Sequence, residues 1–110
     1  MRLLLDECVP RKLLRGFVGH DARTVRQMGW SGKRNGELLS LMLSDGFEVF
    51  VTVDQNVRYQ QNISAAGVAV LVLVASTNKL ADLIPLLSDA LAAIATIKPG
   101  DIVEVTDGSP

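Results

Sequence analysis

Five short apolar runs punctuate the chain, at residues 2–5, 22–25, 48–53, 68–74 and 102–105, and stretches with helical spacing separate them. A near-continuous apolar run of this length is how a strand buried on both faces reads. Regular alternation of such runs with helical segments calls for an α/β fold with a mostly parallel sheet of four to five strands and helices on both faces. No internal repeat, low-complexity tract or linker interrupts the pattern. The expectation is therefore one domain over residues 1–110, with 106–110 as a loose tail.

Helix signals fill the intervals. Pro10 suits the first turn of a helix over 10–18 that presents Leu13, Leu14 and Phe17 on one side. Asn35 is placed to cap a helix over 36–44, closed by Asp45-Gly46. A short helix is expected over 56–65. Thr77 or Asn78 should cap a long one over 79–94, with Pro85 imposing a kink or break.

Composition narrows the partners. Hydrophobic residues make up 48% of the chain and charged residues 21%, as in a globular domain rather than a disordered one. The net charge of −1 excludes a generally basic nucleic-acid binder. The charge is uneven, however: residues 1–58 hold nine Lys/Arg against seven Asp/Glu, and residues 59–110 hold two against five. Bases thus concentrate in the half that carries the candidate chemistry, which permits an RNA or DNA substrate. One cysteine, Cys8, and one histidine, His20, exclude an internal disulfide framework and a histidine-rich metal site. No apolar stretch is long enough to span a bilayer, and Met-Arg-Leu-Leu-Leu-Asp-Glu turns acidic too early for a signal peptide. A cytoplasmic location without membrane attachment is expected, and so small a core would gain from homodimerisation.

The candidate chemistry lies in acids that follow strands. Ligands of open parallel sheets bind beyond the carboxyl ends of the strands, and Asp6 and Asp54 end the first and third apolar runs. If those strands are neighbours, the two carboxylates face one another. At about 4 Å they would repel by roughly 4 kcal/mol at an effective dielectric near 20. An oxygen-ligated Mg2+ or Mn2+ would relieve that cost and could activate a water against a phosphoryl group. Glu37, in the first turn of the second helix, is the third candidate ligand. The same residues also fit plain turn chemistry and the helix dipole.

The blocks Met-Arg-Leu-Leu-Leu-Asp-Glu-Cys-Val-Pro at 1–10, Gly-His-Asp at 19–21 and Val-Phe-Val-Thr-Val-Asp-Gln-Asn at 49–56 resemble the small PIN-like domains related to toxin-type ribonucleases. That family opens on a strand ending in Asp-Glu-Asn-Leu-Pro and later has one ending in Thr-x-Asp-x-Asp-Phe, and the likeness spans residues 1–75. It implies a metal-dependent endoribonuclease, often the toxin partnered by an antitoxin protein. Asp6, Glu37 and Asp54 would be its acids and Asn56 an assisting group. Three positions depart from the pattern: Cys8 stands for Asn, Asn35 for an acid, and Asn56-Val57 for Asp-Phe. Asparagine can ligate through its carbonyl but brings no charge.

Around these acids, Arg11, Lys12 and Arg15 are expected on one side of the first helix, and Lys33, Arg34 and Arg58 in loops near the cleft. Arg11, Lys33, Arg34 and Arg58 are the nominated phosphate contacts. Thr52 is expected one residue off the Asp54 face, where its hydroxyl could orient Asp54 or a water. Glu7 is either a further ligand or a solvated neighbour, and Trp30 a base-stacking or interface residue. Two rival readings remain open. One is a PIN-like scaffold, weakened at Asn56, that only binds a protein or nucleic acid. The other is a phosphate-receiving α/β domain, for which Lys79 is the lone candidate lysine and lies far into the next helix.

Overall fold

In the computed structural model, which describes residues 1–106, five parallel strands form one sheet. They are β1 (Arg2–Leu5), β2 (Asp21–Thr24), β3 (Val49–Thr52), β4 (Ala69–Val74) and β5 (Ile102–Thr106), in the order β2-β1-β3-β4-β5. All neighbouring pairs are parallel. Helices α1 (Asn35–Ser44), α2 (Val57–Ala65), α3 (Leu80–Leu83) and α4 (Leu87–Thr96) complete the alternation.

Strand parity divides the core in two. Leu3, Leu5, Val49, Val51, Leu71 and Leu73 pack against Leu13, Leu83, Leu86 and Ile94, under the C-terminal helices. Leu4, Phe50, Val70 and Val72 turn the other way, onto Leu38, Met42 and Ile63 of α1 and α2. Strands covered on both faces need apolar side chains at nearly every position, which is why β3 and β4 and most of β1 carry no alternation, whereas the edge strands β2 and β5 hold exposed polar residues.

Several local expectations are revised. Residues Arg11–Gly16 form a 3-10 segment rather than an α-helix. The connection must retrace β1, about 13 Å for four residues. Six residues rise about 12 Å as 3-10 turns but about 9 Å as α-helix. Because 3-10 turns eclipse residues three apart, Lys12 and Arg15 fall together and Arg11 stands apart from them. The segment also runs close to α4: a Cβ on Gly16 would lie 2.4 Å from Leu87 Cδ1.

Helix α1 starts one residue earlier than expected, with Arg34 in the cap position and making no side-chain cap bond. It closes as expected at Gly46, whose φ of 74° lets Phe47 N reach back to Met42 O at 3.0 Å. Pro85 breaks the long helix into α3, a 3-10 turn over Ile84–Leu86, and α4. Thr106 belongs to β5, and the rest of the expected tail lies outside the described residues.

Candidate functional site at the carboxyl ends of β1 and β3

Chain direction reverses between β1 and β3: β1 leads outward to β2 on one side, whereas β3 leads to β4 and β5 on the other. Loops therefore diverge beyond these two strands and leave a crevice, the switch point where parallel α/β sheets hold ligands. Leu5 pairs with Val51, and Asp6 N extends the ladder to Val51 O at 2.9 Å. Asp6 consequently sits opposite Thr52.

Thr52, fully buried, links the two acids. Its hydroxyl donates to Asp6 Oδ2 at 2.8 Å and its Oγ1 accepts from Asp54 N at 3.0 Å. The expected orienting of Asp54 by the Thr52 hydroxyl takes the form of this bond to the Asp54 backbone N–H. Asp6 Oδ2 also accepts from Cys8 Sγ at 3.3 Å, and Oδ1 from Glu7 N at 2.8 Å. Burial pushes the Cys8 thiol up, so it stays protonated and serves as a donor to Asp6.

Asp54 Oδ1 accepts from Asn56 N at 2.9 Å, and Gln60 Nε2 donates to Asp54 O at 2.5 Å. These bonds hold the turn between β3 and α2. Asn56 itself caps α2, its Oδ1 accepting from Tyr59 N at 3.3 Å. A group expected to assist chemistry thus has a structural duty.

Asp6, Glu7, Asp54, Asn56, Lys33 and Arg34 line one cleft of about 280 Å³, and Tyr59 forms part of its wall. Tyr59 is not a residue that motif reading singles out; its ring packs edge-on to Phe50 with centroids 6.1 Å apart. Its phenol is pushed up to about 12, first by burial and then by the negative charges of Asp6 and Asp54. It is a neutral donor throughout the ordinary pH range.

Three nominated residues stand elsewhere. Glu37 pairs with Lys33 at 2.9 Å, its side chain 62% exposed, and does not line the cleft. Arg58 is exposed on α2 and also outside it. Arg11 lines a larger neighbouring cleft. Trp30 turns inward, edge-on to Phe47 with ring centroids 5.7 Å apart, so it is a core contact rather than an open stacking platform. Glu7 accepts from Gly32 N at 3.2 Å and anchors the loop before α1.

Among the described residues no three His, Cys, Asp or Glu side chains form a ready metal cage. Two carboxylates facing one cleft still fit a hard divalent ion in donor chemistry. Mg2+ typically keeps several waters and is held by one or two carboxylates together with substrate phosphates. Fold and site define a doubly wound parallel α/β domain with a carboxylate pair at its switch point. Comparison with known protein families, curated proteins and solved structures finds no match for the chain.

Proposed function

We infer that the protein is a metal-dependent endoribonuclease of PIN-like type, acting in the cytoplasm on RNA and serving as the toxin of a toxin–antitoxin pair. The observation that supports this reading is that Asp6 and Asp54, from the ends of β1 and β3, line one cleft, with the buried Thr52 hydroxyl bonded to the Asp6 carboxylate and to the Asp54 backbone N–H. Asp6 and Asp54 would hold Mg2+ or Mn2+. When bound, the ion would polarise a phosphoryl oxygen and make water a nucleophile near neutral pH.

The chain's own groups have distinct tasks in this reading. Thr52 fixes the Asp6 carboxylate, and the Asn56 and Gln60 bonds fix Asp54. Lys33 and Arg34 on the cleft rim contact backbone phosphates, which position RNA without reading its bases. Tyr59, kept protonated, donates to a phosphate oxygen. Glu37 acts through Lys33, restraining the ammonium by their ion pair.

Asp6→Asn is expected to lower Mn2+-dependent cleavage of RNA by about a hundredfold or more, since metal polarisation supplies several kcal/mol and each 1.36 kcal/mol is tenfold. Its circular dichroism should match the parent. Calorimetric Mn2+ binding should vanish in Asp54→Ala. Undiminished cleavage in Asp6→Asn would remove the acid pair from the reaction.

A second reading draws on Glu37 and Asn56, one paired outside the cleft and the other capping a helix. It makes the domain a binding module that retains the scaffold without turnover. RNA binding with no cleavage at any Mn2+ concentration would favour it.

A further inference from the structure

The larger cleft, about 550 Å³, adjoins the candidate site and shares Asp6 and Glu7 with it. Arg11, Arg26 and Lys79 line it. They come from the segments after β1, after β2 and after β4, so three distant stretches deliver like charges to the same end of the sheet. Arg2 and Arg23 pair with Asp21, Arg2 also with Asp45, and Lys33 with Glu37, while the other bases outside the cleft are spread over several elements. Among the described residues no carboxylate pairs with Arg11, Arg26 or Lys79. Asp6 and Glu7, at the edge shared with the other cleft, offset part of this positive charge, and an anionic ligand would neutralise the rest. Arginine in particular matches phosphate with a planar fork of donors.

We propose that this cleft binds the nucleotide flanking the scissile phosphodiester of single-stranded RNA, with Arg26 and Lys79 as its phosphate contacts. The inference rests on the ribonuclease reading for what happens at the ridge between the clefts. Its volume falls in the range of small-ligand sites, enough for an unpaired nucleotide and far too small for a duplex. Val9, Pro10 and Val25 supply an apolar wall for the base or sugar, while the cations take the phosphate. Because Asp6 and Glu7 line both clefts, a strand crossing that ridge has one phosphate at the acids and its neighbour among the three bases. Lys33 and Arg34 receive the chain on the other side.

The test uses a fluorescein-labelled short RNA of mixed sequence and fluorescence anisotropy in chelating buffer, so that no metal-dependent cleavage occurs. Arg26→Ala/Lys79→Ala is compared with Arg23→Ala/Lys98→Ala, which removes the same charge away from the cleft. The cleft double variant should bind about tenfold more weakly, with a log–log salt slope shallower by about 1.4 for two lost single-strand phosphate contacts. The control double should bind as the parent does. Equal weakening in both doubles, or none in either, overturns the proposal; in the second case the cleft becomes a candidate for an acidic protein segment instead. Salt-sensitive binding through the cleft without cleavage in Mn2+ would sink the nuclease reading alone. Unchanged KM for Arg26→Ala/Lys79→Ala in an active enzyme would sink this proposal alone.

Discussion

Tyr59 offers a direct readout of the charges at the site, because it is the only tyrosine in the chain. Its phenolate is disfavoured by burial and by the negative groups beside it, which holds the folded value at about 12. An unfolded tyrosine titrates near 10. Between those values the unfolded chain has released a proton that the folded chain retains, so stability falls as pH rises through that window. Absorbance titration of tyrosinate should give a native midpoint near 12. Asp54→Asn should move it down while leaving the burial contribution in place. A midpoint unchanged by Asp54→Asn would mean that the carboxylate does not act on the phenol. At this scale the sequence disclosed Asp6 and Asp54, since an acid ending an apolar run is visible as such. Tyr59 and Arg26 were hidden because their relevance depends on which loops meet beyond the strands, and strand order is not written locally; Lys79 was noticed but placed too far into its helix, whereas it stands just before α3 on the larger cleft.

Helix α2 shows how one residue can answer to both an element and a site. Asn56 accepts from Tyr59 N and lines the cleft, so its replacement tests capping and chemistry together. Asn56→Ala should cost about 1 kcal/mol of stability, the usual loss for a capping side chain. Asn56→Asp should keep the cap nearly intact, because aspartate caps as well as asparagine. Urea unfolding of the two variants separates these outcomes, and equal losses would show that the cap bond contributes nothing. The family-like pattern has an acid at this position, so Asn56→Asp also asks whether added charge raises Mn2+ affinity. Elements themselves were legible where one physical signal dominated: the five apolar runs became the five strands, and Pro85 broke its helix. The first connection was misread because Leu13, Leu14 and Phe17 suit helical spacing. The length that had to be spanned decided for 3-10 turns instead.

At the scale of the molecule, the sheet ties its two apolar layers into one cooperative unit. Each of β1, β3 and β4 sends alternate side chains to opposite layers, so neither layer can be released without stripping the strands that complete the other. Parallel order was foreseeable from the strand–helix alternation, but the sequence β2-β1-β3-β4-β5 was not, since several right-handed arrangements satisfy the same alternation. Leu86 is 1% exposed in the layer under the C-terminal helices, whereas Trp30 packs in the opposite one. Leu86→Ala removes a fully enclosed side chain and should cost about 2–5 kcal/mol, a large share of the 5–15 kcal/mol usual for a domain. If the layers unfold together, Trp30 fluorescence and far-ultraviolet circular dichroism will shift to the same lower urea midpoint with an unchanged slope. A fluorescence transition that stays at the parent's midpoint while circular dichroism moves would instead reveal two separately melting layers.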